Sequence, residues 1–578
     1  MNAHKLTLGE ILAAEVRLVA PLFQRAYVWK REQNWEPLWR ALSEILDRRA
    51  NGVPQRPYFM GALVLNQMPT PIGEVPSREI IDGQQRMTTL QILMETARRT
   101  FAESGFEHSA RQLEKLTRND LESESDARFK VWPTNVDRDS FRGTMKGELE
   151  TGLMAEAAQY FRSVVPEWLR PGEEGARERA AAFVMALRQD LIFIAIDLEN
   201  DDDGQLIFET LNSMGTPLLP SDLVKNLLFR EAVREGEDAE KLYNEYWKPF
   251  ESSNPEVGYW RETISVGRRE RTRLDVFLQY YLTYRLGQEP VVAHQFRDYQ
   301  DAFRAGKFGD TRSALSDFAA HAALFREFDE ARTGAAGRLR QVLDMLDATV
   351  PNPLVLGFFA NLASGEERDS ALEMLESYLM RRLLCGLTTK NLNRVTADLI
   401  TKLRFVGWNP ENLREALLAY DGNSTVWPDD GFVLWRQRER AAYGDIRGTG
   451  ISYALSRVEA SLRTTKSEHP WNVRTPLTIE HLMPQKWREH WPLLEGSDED
   501  AARRRDELLD RIGNLTVLTR RLNSSISNGS WSSKRAHLNE HTVLLTNSAL
   551  AGREEWNEAA IIARSEELGR AFCRLWPR

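Results

Sequence analysis

A helical period in the apolar residues runs from about Pro220 to Leu418, carried by segments such as 273–286 and 370–384 and broken at Pro351-Asn352-Pro353 and Gly365. No fixed-period repeat runs through it, which argues against a solenoid. The first 230 residues read differently. Short β-prone runs at 58–66 (YFMGALVLN), 79–81 and 191–198 (LIFIAIDL) alternate with helical patterns. After Asp82-Gly83, residues Met87, Leu90, Met94, Ala97 and Phe101 step by three and four, which predicts a helix with one apolar face. Gly, Asp and Pro cluster at 421–450, the best linker candidate. The expected organisation is therefore an α+β, mostly helical chain: a mixed domain over 1–230, a helical middle over 231–420, a linker over 421–450 and a C-terminal domain over 451–578.

The length of 578 residues gives ample core for two to four domains. A hydrophobic fraction of 42% with 28% charged residues is that of a globular chain rather than a disordered or fibrous one. Two cysteines, Cys385 and Cys573, exclude a disulfide framework and a cysteine-rich zinc site. The polar start and the lack of any run of 18 apolar residues argue against secretion and membrane spanning, so a cytoplasmic location is expected. A net charge of −9 argues against blanket coating of nucleic acid but allows local basic patches. The 16 tryptophans are spread widely and read as core anchors.

The chemistry is densest near the end of the chain. An apolar run, Leu477-Thr-Ile, ends in Glu480-His481, with Pro484-Gln485 just after; a second β-prone run follows Asn514, and Asn523 comes nine residues on, where a helix can start. Phosphodiester hydrolysis needs a base, a cation to stabilise charge on the phosphate, and a group that holds the base. His481 is the candidate base, since an imidazole is largely neutral near pH 7. Glu480 and Asn523 offer hard oxygens suited to Mg²⁺ or Mn²⁺, and Asn514 is placed to fix the ring of His481 or its backbone. A Glu-His pair at a strand end is by itself usually structural. From Arg511 to His537 there are Arg511, Arg520, Arg521, Lys534 and Arg535 and no acid, a positive stretch that suits a phosphate-tracking groove, although such runs are more often solvated helix faces.

A second constellation, Ile80-Ile-Asp82-Gly83-Gln84-Gln85-Arg86-Met-Thr88-Thr89, places a Gly turn between a strand and a helix. Backbone N–H groups at that helix start and the Arg86 guanidinium can bind an anionic phosphate, Asp82 a metal or a ribose hydroxyl, and the glutamines and threonines supply neutral donors. Such turns are common, and no GxxxxGK[ST] loop occurs in the chain. The run from Glu199 to Thr210 approaches a calcium loop but lacks the acid at its twelfth position, and reads as a solvated turn.

The C-terminal pattern resembles the HNH (ββα-metal) endonucleases, in particular the branch shared by RNA-guided CRISPR nucleases and GmrSD-type restriction enzymes. Glu480, His481, Pro484, Gln485, Asn514 and Asn523 all match it, with Asn523 in place of the final His of the motif. That replacement keeps an oxygen ligand and leaves His537 as an alternative contributor. Lys534 falls where that family has a basic residue, which implies a place in the catalytic set. Residues 82–86 resemble the DGQQR motif of the ParB/sulfiredoxin-like domain that begins GmrSD, SspE and BrxU-type phage-defence proteins. Phe23-Gln24-Arg25-Ala-Tyr27-Val-Trp29 and Phe208-Glu-Thr-Leu211-Asn212-Ser-Met-Gly215 match the same domain.

The resemblance implies that Asp82, Gly83, Gln84, Gln85, Arg86 and Thr88, with Gln24 and Arg25, hold a nucleoside triphosphate (GTP or ATP). It implies that Tyr27 and Trp29 line the nucleotide or modification pocket, for which a place in the core is the equal alternative; Arg520 and Arg521, from the basic run, are the candidate DNA contacts. The expected function is a nucleotide-regulated, modification-dependent endonuclease of phage defence. Its expected substrate is modified double-stranded DNA, and a homodimer or further defence proteins are its expected partners. The alternative is an NTP-dependent DNA-binding sensor whose HNH-like domain is an inactive clamp.

Overall fold

The computed structural model of the protein describes residues 2–578 apart from 22–23, 55, 69, 71–74, 122–124, 149–150, 199–218, 252–254, 268, 364, 464–476 and 494–499. The motif at 208–215 and the calcium-like turn thus lie outside the described residues, as does Phe23. The chain is α+β and mostly helical, and it divides into two compact units: Met1–Arg261 with Gln300–Leu315, and Glu262–Tyr299 with Ser316–Arg578. No helix among the described residues is long and apolar enough to cross a membrane.

The N-terminal unit is built on one mixed sheet of six strands: β1 (Asn2–Thr7), β2 (Arg17–Val19), β3 (Tyr58–Gln67), β4 (Ser77–Asp82), β5 (Val131–Trp132) and β6 (Leu191–Leu198), in the order β1-β6-β3-β4-β2-β5. The β3/β6, β2/β4 and β2/β5 pairs are parallel, and β1/β6 and β3/β4 are antiparallel. The helix Gln84–Glu103 leaves β4 through Gly83 and buries Met87, Leu90, Met94, Ala97 and Phe101 as its spacing predicts. It also buries most of its other faces, because helices Glu107–Thr117 and Leu153–Leu169 pack against it. Its buried polar residues are satisfied in place: Gln91 donates to Leu116 O at 3.1 Å, and Glu95 meets Arg98, Arg99 and Arg118 at 2.7, 3.0 and 3.1 Å.

The C-terminal unit opens with a hairpin of β7 (Thr263–Val266) and β8 (Arg269–Thr272) and continues in helices, with Arg273–Leu286, Asn352–Asn361 and Glu366–Leu384 respecting the expected breaks. Arg273–Leu286 is buried on nearly every side rather than along one stripe. The stretch 421–450, expected as a linker, carries helix Asp430–Glu439 and is nailed to the helical body by two buried arginines. Arg381 donates to Trp576 O, Pro428 O and Asp430 at 2.5, 3.0 and 2.7 Å, and Arg382 to Val426 O and Ser424 O at 2.7 and 2.9 Å. Trp35, Trp247, Trp427 and Trp576 are among the largest fully buried side chains, as core anchors should be. Near the end of the chain, β9 (Leu477–His481) and β10 (Leu515–Thr519) pair antiparallel, and helices Arg520–Ile526 and Trp531–His541 follow.

Candidate functional site

His481 closes β9 opposite Leu515, and Glu480 lies opposite Thr516. The imidazole is partly buried, and its Nε2 lies 2.9 Å from Asp510 Oδ1. A carboxylate only accepts, so Nε2 carries the proton in this contact, and in the neutral tautomer Nδ1 keeps the lone pair. Tyr443 packs edge-on against the ring with centroids 4.8 Å apart. The backbone carbonyl of Asp510 accepts from the amides of Ala442 and Tyr443 at 2.7 and 2.9 Å, which fixes both neighbours of the imidazole from one loop.

The two asparagines do different work. Asn514 is fully buried: its Nδ2 donates to Met483 O and Leu509 O, each at 2.8 Å, and its Oδ1 accepts from Met483 N at 2.8 Å and Trp556 Nε1 at 3.2 Å. It therefore clamps the turn after His481 and has no polar atom left for a reacting group. Of the two sequence alternatives, ring or backbone, its hydrogen bonds go to the backbone. Asn523 lies inside helix Arg520–Ile526, which Thr519 caps three residues earlier than expected. Its Nδ2 donates to Thr478 Oγ1 and Ile479 O at 2.8 and 2.9 Å, stapling the helix to β9 and leaving Oδ1 as its acceptor.

Lys534, read as part of a basic surface, is fully buried. Its Nζ meets Glu480 Oε1 at 2.5 Å and His481 O at 2.7 Å, so it neutralises one member of the site and holds the backbone of another. Burial pushes the Lys534 ammonium below its usual range while Glu480 pulls it back, and burial lifts the Glu480 carboxyl while Lys534 lowers it. The physical reason for the difference is that a charge run gives no sign of which member turns inward. Arg535 donates to Ala551 O at 2.8 Å, and Arg511 pairs with Glu439 at 4.0 Å. Arg520 and Arg521 are exposed and stay available to a phosphate backbone. His537 contacts its own helix through Ser533 O at 2.9 Å.

Glu480 offers a carboxylate and Asn523 an amide oxygen, donors of the hard kind that Mg²⁺ or Mn²⁺ prefers. Among the described residues no group of three or more His, Cys, Asp or Glu side chains gathers as a metal site.

In the N-terminal unit the motif residues do converge, but most spend their side chains on one another. Gly83 sits at φ 103°, and a Cβ there would come 2.8 Å from Leu63, so the turn into the helix requires glycine. Gln24 donates to Ile80 O and Ile81 O, both at 2.9 Å; Gln84 reaches Arg25 O at 3.4 Å; Gln85 donates to Ala26 O at 3.2 Å and accepts from Val28 N at 2.9 Å. Arg86 bridges Met60 O at 2.6 Å and Asp82 at 3.0 Å, lying over Gly61, where a Cβ would overlap it at 2.2 Å. The glutamines thus lace segment 24–28 to the helix start. Tyr27 is buried, with its hydroxyl between Thr89 at 2.7 Å and Trp35 Nε1 at 2.8 Å, and burial raises its pKa above the ordinary tyrosine value. It is a core residue; Trp29 is half-buried against the same core. Two groups remain unspent: the buried Thr88 hydroxyl, and the guanidinium of Arg25, which makes no hydrogen bond or ion pair among the described residues. Burial lowers the Arg25 pKa, and the nearby Asp222 and Asp82 favour its charge.

Sequence reasoning missed Asp510, Tyr443 and a buried charged network beside segment 24–28. In that network Lys225 meets Gln24 O at 3.1 Å and Glu251 at 2.6 Å, and Arg261 meets Asp222 and Glu251 at 3.1 and 2.8 Å. An acid three residues before Lys225 in the run Ser221-Asp222-Leu-Val-Lys225 was the signal available.

Compared with protein families, residues 8–229 match the GmrSD restriction endonuclease N-terminal domain, and residues 437–571 match the GmrSD restriction endonuclease C-terminal domain. No curated protein matches the chain.

Proposed function

Because the chain belongs to the GmrSD restriction endonuclease family, and so is a DNA endonuclease of phage defence, we propose that it cuts modified double-stranded DNA by an HNH mechanism under nucleotide control. The observation that carries the mechanism is the His481–Asp510 contact at 2.9 Å. Asp510 holds the Nε2 proton, so Nδ1 is the atom that accepts a proton from the attacking water. Tyr443 and the Asn514 clamp keep the ring and the following turn in place, and Lys534 fixes the His481 carbonyl while balancing the charge of Glu480. Glu480 and Asn523 would hold Mg²⁺ or Mn²⁺, which when bound stabilises charge on the phosphate and the leaving oxygen. Arg520 and Arg521 contact the phosphate backbone. One such centre cuts one strand, so a monomer nicks, and a double-strand break takes a homodimer or two successive cuts.

In the N-terminal domain, Asp82–Arg86, Thr88, Gln24 and Arg25 bind GTP or ATP, with the unspent Arg25 guanidinium and the first amides of helix Gln84–Glu103 as the anion contacts. The glutamine lacing makes the position of segment 24–28 sensitive to what binds there, and this is the step that links nucleotide or modified DNA to cutting. The test is strand scission on matched modified and unmodified DNA, with Mg²⁺ or Mn²⁺ and with and without each nucleotide. The reading requires cutting that depends on the modification and changes with nucleotide. Binding without scission under every condition would favour the inactive-clamp alternative.

A further inference from the structure

The C-terminal unit holds a cleft of about 570 Å³ whose lining includes Arg338, Arg414, Arg457, Arg574 and Arg578. These come from helices Gly334–Leu346, Pro410–Leu418, Gly448–Leu462 and Glu558–Leu575 and from the segment after the last of these. Among the described lining residues the carboxylate side chains are Glu373 and Glu376, and counting Asp429 beside Arg578 and a carboxylate terminus there would still leave the cleft positive. This excess stands in a chain whose net charge is −9. All five except Arg457 lie outside the two segments matched to the family.

The two carboxylates are already committed. Arg338 meets Glu373 at 2.5 Å and Glu376 at 3.2 Å, and Glu376 also accepts from Trp576 Nε1 at 2.9 Å. Arg414 donates to Arg578 O at 3.1 Å, and Arg578 stands 3.9 Å from Asp429. Arg457 and Arg574 make no hydrogen bond or ion pair among the described residues. The indole N–H of the fully buried Trp427 and the Nε of Arg457 and Arg578 also have no acceptor there. Unpaired guanidiniums gathered round one cleft repel one another, and a planar fork with several N–H donors matches a phosphate better than any neutral ligand. A cleft of this size takes a nucleotide-sized molecule rather than a duplex.

From these observations we propose that this cleft is a second anion site, for a phosphate ester or polyphosphate of nucleotide size, held chiefly by Arg457 and Arg574. The inference stands apart from the nuclease reading, since it uses none of the residues around His481 or Gly83.

The test is hydrogen–deuterium exchange and calorimetry on the full chain with pyrophosphate as the probe. Protection is expected in peptides covering 448–462 and 558–578, and R457Q/R574Q should weaken pyrophosphate binding there by about tenfold or more while keeping the wild-type melting temperature. R457K/R574K, which keeps charge but loses the fork, should fall between the two. Arg25→Ala separates this site from the N-terminal one, because it should leave protection at 448–462 unchanged. Competition then checks the size of the ligand: displacement by ATP or GTP is expected, and displacement by a 12-base-pair duplex alone would count against a nucleotide-sized ligand. No protection in those peptides, or a double glutamine variant that binds pyrophosphate like the wild type, would overturn the proposal.

Discussion

Replacing Lys534 by methionine keeps the length of the side chain and removes the cation from a buried pair. Lys534 is fully buried, the Glu480 side chain is 10% exposed, and they meet at 2.5 Å. Removing one member of such a pair typically costs about 3–5 kcal/mol, because the other is left buried and charged. Glu480 can escape by taking up a proton, which from an ordinary glutamate value near 4.3 costs roughly 3–4 kcal/mol at pH 7 and less once burial has raised it. About 3 kcal/mol is therefore expected, or a fall in melting temperature of roughly 6–12 °C. The sign of the pH dependence follows. An unpaired, buried Glu480 has a folded pKa above its unfolded one, so the variant is least impaired at acid pH and loses stability as pH rises through the folded value. Calorimetry in chelator at pH 5 and pH 8 should show the gap to wild type widening with pH, and E480Q/K534M should recover most of the loss. A K534M protein that melts with the wild type at pH 8, or a gap that does not change with pH, would refute the reasoning.

Asp510→Asn keeps the shape but offers His481 Nε2 a donor, so Nδ1 loses its lone pair; because Asp510 is partly exposed, kcat for cleavage should fall about 100-fold, the low end for a general base. A D510N rate within twofold of wild type would remove Asp510 from the mechanism. Asn514→Ala strands the four groups that Asn514 satisfies in the interior and should destabilise by about 3 kcal/mol or more, read as a lower melting temperature. Asp137, buried while accepting from Tyr27 N and Thr134 at 2.8 Å each, has its pKa raised by desolvation to about 6. Its ionisation therefore opposes folding: stability is fully present below about pH 4 and declines through pH 6, by roughly 3 kcal/mol, and Asp137→Asn should flatten that decline in chemical denaturation.

Local patterns were legible where one strand or turn carries the signal. The strands at 58–67, 77–82 and 191–198, the turn at Gly83 and the two β runs that end in Glu480-His481 and follow Asn514 all follow from short-range chemistry. What the chain brings together over distance was not legible. Asp510 lies 29 residues from His481 and belongs to no periodic pattern, so nothing local marks it as the partner of the imidazole. The Gly- and Pro-rich stretch 421–450 reads as a linker until Arg381 and Arg382, some forty residues earlier, bind its carbonyls. Tyr27 and Lys534 show the same limit: sequence left Tyr27 open between a pocket and the core and set Lys534 on a basic surface, and only the fold shows both side chains buried with internal hydrogen bonds.

The most direct measurement is Mg²⁺- or Mn²⁺-dependent strand scission by His481→Ala beside wild type, on the modified DNA that wild type cuts best, with melting temperature and DNA binding followed in parallel. The account predicts that the variant folds, binds DNA as before and leaves the strands intact. Scission at the wild-type rate by the folded variant would contradict it.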